Sequence, residues 1–183
     1  MARIPAATRD NVPPDQKETF DEILEQRGTP RGPTTIMLNV PEMSKRATHL
    51  VSYLRDESTI PRKLQELAML TTAREMDCQF IWYAHAPSGR RAGLRDDIVD
   101  NLRDKKEISG MTPDEAAVVS YGREYFRTHR VSQATFDAAL AQFGVRGLTE
   151  LTSLMAYSAL LAFNINAFEV GIPDEGTETP LPV

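Results

Sequence analysis

Three residues in the stretch ELAMLTTAREMDCQFIWYAH, Glu66, Cys78 and His85, have the types and spacing for proton or thiol chemistry. A carboxyl and an imidazole held together can move a proton to or from carbon, and a thiol beside an imidazole can ionise and meet a peroxide. Cys78 and His85 are seven positions apart, which at about 100° per residue puts them on one helical face, about two turns from each other. Glu66 stands twelve positions before Cys78, roughly 120° away on an unbroken helix, so it joins them only if the chain breaks between Glu75 and Cys78. Asp77, polar and a weak helix former, is the expected break and N-cap.

The elements that must position these groups read as helices almost throughout, with no alternating run long enough for a convincing sheet. Pro61 opens the helix that carries Glu66, and Leu64, Leu67, Ala68, Leu70 and Thr71 make that helix apolar around most of its surface. Met69, Leu70 and Ala73 neighbour Glu66 on it, so desolvation is expected to raise the carboxyl pKa and make Glu66 a candidate acid or base. The helix carrying His85 is expected to stop in PSGRRAG, at Pro87 and Gly89.

Elsewhere, Pro13-Pro14 starts a first helix ending at Gly28, and TPRGPTT reads as a loop. A second helix starts near Pro41 with Met43, Ala47, Leu50, Val51 and Leu54 facing inward. Residues 94–102 form a short helix, Thr112, Pro113 and Glu115 give a strong start signal for the next, and residues 132–143 form another closed by Gly144. Residues 151–168 lack any charge and read as a central helix ending at Gly171 and Pro173; Thr152, Ser153, Ser158, Asn164 and Asn166 argue against a membrane span. The expected organisation is an arm over residues 1–13, one all-α single-domain helical bundle over 14–172, and a polar, proline-rich tail over 173–183, flexible or draped over a neighbouring subunit.

The chain has 183 residues, 41 % of them apolar and 26 % charged, enough for a sizeable core. A net charge of −5 with no basic stripe speaks against nucleic acid as a partner. The single cysteine cannot form an internal disulfide, and the N-terminus has no apolar signal-peptide core, so a cytoplasmic protein is expected.

The motif built on Glu66, Cys78 and His85 resembles that of the carboxymuconolactone decarboxylase and alkylhydroperoxidase D superfamily. Peroxidase members carry a second cysteine between the first and the histidine; Ile81 stands there in this chain, so the redox pair is incomplete. LQELAMLTTAREMDCQFIWYAHAPSGRRAGL looks more like the decarboxylase-like branch, where a run such as Phe80, Ile81 and Trp82 precedes the histidine, although a glutamate is common where Ile81 stands. LTELTSLMAYSALLAFNINAFEVGIP is similar to the superfamily's terminal helix. The resemblance implies an all-α fold of paired helices, assembled as a homo-oligomer, trimer or hexamer, with each pocket near a subunit boundary.

Each residue also has a plainer reading. Cys78 is a buried small apolar side chain or a reactive thiol, and His85 an interior histidine or, as the family match favours, a proton-transfer group. Glu66 is a structural partner of His85 or Arg74, or part of the chemistry. Trp82 and Tyr83 read as packing and pocket wall, and Arg74 as a solvated arginine or the partner of a substrate carboxylate. Asn164 and Asn166 need partners if buried, and either could bind a substrate carbonyl or cap a neighbouring backbone. His49 is expected to serve structure and His129 a surface cluster; no spacing supports a metal site and no glycine-rich nucleotide loop is present. The leading expectation is a cofactor-free lyase or isomerase acting on a small unsaturated carboxylic acid or lactone. Alternatives are a thiol-dependent peroxidase using Cys78 alone and a non-catalytic binding or assembly protein.

Overall fold

A computed structural model describes residues 2–28, 30–172 and 178–182, and among these residues there is no strand. A 3-10 turn, Pro14–Gln16, leads into α1 (Lys17–Arg27), which stops where Gly28 takes a φ of 73° and its N–H returns to the Leu24 carbonyl at 2.8 Å. Then come α2 (Pro33–Met37), α3 (Pro41–Ser52), α4 (Arg62–Glu75), α5 (Gln79–Arg91), α6 (Asp96–Arg103), α7 (Pro113–Thr128) and α8 (Gln133–Phe168). The short α2 lies partly within the stretch expected to be a loop.

The centre of the molecule is α4, packed against α5, α6, α7 and α8. Every residue from Leu64 to Arg74 is buried, polar ones included. Thr71 and Thr72 are tolerated there because their hydroxyls return to the carbonyls of Leu67 (2.8 Å) and Ala68 (2.9 Å) of the same helix. The charge-free stretch 151–168, expected to be central, buries one face only: Leu151, Leu154, Met155, Ser158, Ala162 and Ile165 turn inward while Phe163 is 69 % exposed. By length and hydropathy alone α8 is long and apolar enough to cross a membrane. It bends at Gly144, whose φ of 62° and ψ of 179° break the helix where the sequence placed a boundary.

The capping box at the start of α7 forms as expected, with the Thr112 N–H donating to Glu115 Oε2 at 2.9 Å. In contrast, α5 runs through both expected stops. Pro87 removes only one helical N–H, and Gly89 is buried against α4, so the helix continues to Arg91, where Ala92 caps it and Gly93 follows with a φ of 98°. The inward stripe expected on α3 is also corrected. Only Leu54, in the following turn, is buried, while Met43 and Leu50 are 47 % and 48 % exposed. The helix packs on α1 and buries Pro41 and Ser44 instead.

Described residues near both ends of the chain pack onto the helices. Ala7 and Val12 join Phe20, Ile23 and Leu38 in a small separate core, and the Arg3 N–H and guanidinium cap the end of α8 through the carbonyls of Phe168 (2.8 Å) and Ala167 (3.0 Å). That helix ends at Phe168 with Glu169 as its left-handed cap, short of the expected Gly171; Pro173, the other expected stop, lies outside the described residues. Of the stretch expected to be a flexible or subunit-draped tail, the described residues 178–182 lie on the chain's own α5, with Leu181 buried and its backbone paired to both ends of the Gln79 amide at 2.6 and 2.9 Å.

Candidate active site

The break between α4 and α5 occurs where the sequence demanded it. Asp77 takes a φ of 48°, while Cys78 caps α5 in extended conformation. Asp77 is thus the turn and its carboxylate pairs with Arg74, leaving the capping position to Cys78. Folding α5 back along α4 brings Glu66, before the turn at Asp77, into contact with His85, after it: His85 Nδ1 lies 2.8 Å from Glu66 Oε2.

Two arginines complete the cluster on the other carboxylate oxygen, Arg55 Nη2 at 2.6 Å and Arg62 Nε at 3.1 Å from Oε1. Arg62 sits one helical turn before Glu66 on α4. Arg55 arrives from a π-helical turn, Tyr53–Glu57, that extends α3 and is pinned to α4 by the Gln65 amide, which donates to the carbonyls of Ile60 (2.9 Å) and Arg55 (3.3 Å). Its other terminal nitrogen rests on Met69 Sδ at 3.1 Å. Neither arginine was identified as a site residue from sequence. The i,i+4 spacing of Arg62 and Glu66 was a signal for one, and no local pattern points to the other.

The Glu66 side chain is 1 % exposed and that of His85 27 %. Burial pushes the Glu66 carboxyl up, as expected, but the hydrogen bond and charge of His85 together with Arg55 outweigh it, and its pKa falls below the ordinary 4.5. Glu66 is therefore a standing carboxylate. A carboxylate only accepts, so the His85 proton at this contact sits on Nδ1 and the imidazole's Nε2 is the nitrogen left for other chemistry.

Cys78 does not join them. It is fully buried, and its thiol makes no hydrogen bond to Glu66 or His85. Burial raises the thiol pKa above 9.0 despite the opposing pull of the Ile81 and Phe80 amides at the start of α5. The expected lowering of its pKa by a helix N-terminus is thus outweighed by burial. Ile81, in the second-cysteine position, is a core residue.

The expected substrate-binding residues are otherwise engaged. Trp82 is buried and its indole N–H donates to the Thr179 carbonyl at 3.2 Å. Arg74, 1 % exposed, binds Asp77 and the carbonyls of Arg103 (3.2 Å) and Pro182 (3.3 Å), so it is neither solvated nor free for a substrate. Asn164 donates to Leu160 O in its own helix at 2.9 Å, and Asn166 caps the end of α4 through Met76 O at 2.8 Å. Tyr83, half-buried, stands about 200° around α5 from His85. His49 and His129 are exposed. Among the described residues no three His, Cys, Asp or Glu side chains gather as a metal site would require.

The same helical arrangement recurs in solved structures. A peroxidase-related protein from Ralstonia eutropha with an alkylhydroperoxidase AhpD core superposes with a TM-score of 0.72 at 16 % identity, over 94 % of this chain and 93 % of that one. The chain has the AhpD-like fold. A second peroxidase-related protein of this AhpD-like shape, from Silicibacter, gives a TM-score of 0.73 at 12 % identity over 96 % of this chain and 93 % of that one. A cysteine-to-alanine variant of the debrominase Bmp8, in complex with 2,3,4-tribromopyrrole, gives 0.70 at 14 % identity over 93 % of this chain and 91 % of that one. No family model and no curated protein sequence matches the chain.

Proposed function

We infer that this AhpD-like chain is a cofactor-free acid–base enzyme, a lyase or isomerase acting on a small unsaturated carboxylic acid or lactone. The observation that carries this reading is the 2.8 Å contact between His85 Nδ1 and Glu66, a buried, ionised carboxylate behind a partly exposed imidazole. Glu66 holds the ring's tautomer and orientation, while Nε2 takes up or delivers the proton. In an isomerisation, neutral His85 removes a proton from a carbon next to the conjugated system, the C–H electron pair moves into a dienolate, and the imidazolium returns the proton at another carbon. In a decarboxylation, the C–C bond breaks, carbon dioxide leaves, the pair remains as a dienolate and the imidazolium protonates it. Neither route needs an outside oxidant. Because Glu66 stays ionised, it orients His85 and does not itself relay the proton.

A thiol peroxidase is the competing reading, consistent with the peroxidase-related neighbours. The burial of Cys78, its raised pKa and the absence of a second cysteine count against it. The apolar faces left uncovered on α3 and α8 suit contact between copies of the chain in a trimer or hexamer.

The decisive experiment follows proton exchange and turnover of unsaturated acids and lactones in deuterated buffer by NMR, for the wild type and His85→Ala. Turnover is expected to vanish in the variant while helical content is kept; full activity there would end the proposal.

A further inference from the structure

We propose that Arg62 is the anchor for a substrate carboxylate that the reaction leaves in place, which makes it the residue that selects acids over neutral analogues. The proposal rests on His85 as the proton-transfer group.

The two guanidiniums and the imidazole around Glu66 are not equivalent. Arg55 is 14 % exposed and committed at both ends, to Glu66 through one terminal nitrogen and to Met69 through the other. Arg62 is 56 % exposed; its Nε lies 3.1 Å from Glu66, and neither of its terminal nitrogens makes a hydrogen bond among the described residues. The ion pair at Nε leaves the two terminal nitrogens, a fork of donors in one plane, for a ligand, and such a fork can bind a carboxylate through both oxygens. Two guanidiniums against one carboxylate also leave the cluster one positive charge in excess, within a chain whose net charge is −5. An acid is drawn to this local excess of positive charge within a chain that is acidic as a whole.

Arg62 and His85 hold opposite oxygens of the same carboxylate. The anchor and the proton-transfer group are therefore both held at Glu66, within reach of one small acid. The carboxylate held must be one that survives the reaction. A departing carboxylate gives its electron pair to the rest of the substrate, and a guanidinium gripping it would stabilise the ground state more than the transition state. The fitting substrates are an unsaturated monoacid that isomerises, or a diacid or acid-bearing lactone that loses its other carboxylate.

The test uses crotonate and its neutral counterpart crotonamide, titrated into the full-length protein while the His85 ring signals, assigned by their absence in His85→Ala, are followed by NMR. Crotonate is expected to shift these signals, to bind about tenfold more weakly to Arg62→Gln, and to lose part of its affinity in Arg62→Lys, which keeps the charge without the fork. Crotonamide should bind more weakly than crotonate and equally to all three proteins, showing that the site is intact. Equal crotonate affinity in the wild type and Arg62→Gln, no preference for crotonate over crotonamide, or no response to crotonate would each overturn the anchor. Failure of the proton-transfer reading shows separately, as full turnover in His85→Ala with carboxylate binding still dependent on Arg62.

Discussion

The indole N–H of Trp82 ends on the carbonyl of Thr179, 3.2 Å away and ninety-seven residues later in the chain. Around that bond the closing residues satisfy much of one face of α5 and the end of α4: Gln79 holds Leu181, Arg74 reaches Pro182, and Arg90 reaches Glu178 at 3.0 Å. Deleting residues 178–183 removes a buried leucine and strands several buried donors. A loss on the order of 3 kcal/mol is expected in urea denaturation. A deletion variant as stable as the full chain would show these contacts to be incidental.

Glu66 and Glu150 contribute to the acid limit of the fold. Glu150 is hydrogen-bonded to Tyr53, Thr59 and Arg146, and although burial pushes its carboxyl up, these bonds hold it down to about 2. Both folded values lie below the ordinary 4.5, so the stability these carboxylates contribute is complete above that value and lost as the pH falls through the folded ones. Glu66→Gln leaves Arg55 without a counter-charge and should cost about 2 kcal/mol near neutral pH, with a shallower decline on acidification. Parallel stability–pH curves for variant and wild type would contradict this.

Cys78 is expected to behave as a core residue. Its thiol should resist a disulfide reagent in the native protein and react stoichiometrically in urea. Cys78→Ala should cost about 1 kcal/mol and keep proton exchange. Peroxide consumption with an external thiol should match background in the wild type and in Cys78→Ser alike; rapid turnover that depends on Cys78 would restore the peroxidase reading.

Gly89 packs α5 closely against α4. A Cβ there would stand 2.9 Å from Leu94 Cδ1, 3.2 Å from Leu70 Cδ1 and 3.6 Å from Glu66 Cβ. Gly89→Ala gains helix propensity of up to about 1 kcal/mol but must displace two buried methyls, so a net loss near 1 kcal/mol is expected. Gly89→Val should lose about 3 kcal/mol and, by pushing α5 off α4, separate His85 from Glu66 and suppress turnover. Calorimetry beside the NMR exchange assay checks both effects.

Helix identity and the pairing at the centre of the site were legible in the sequence because they depend on neighbours a few residues away. The spacing of apolar residues identified α4, Thr112 and Glu115 announced the start of α7, and the required break before Cys78 already implied that Glu66 and His85 meet across a turn. Tertiary structure alone decided which partners arrive from a distance. Arg55 reaches Glu66 from another helix and adds to the larger effect of His85 in lowering its pKa, because a shifted pKa is a sum of opposed burial and charge effects that no local pattern encodes. Packing likewise turned the stripe of α3 outward and buried Cys78 beyond its histidine's reach, since an apolar face records only that something must cover it, not what does.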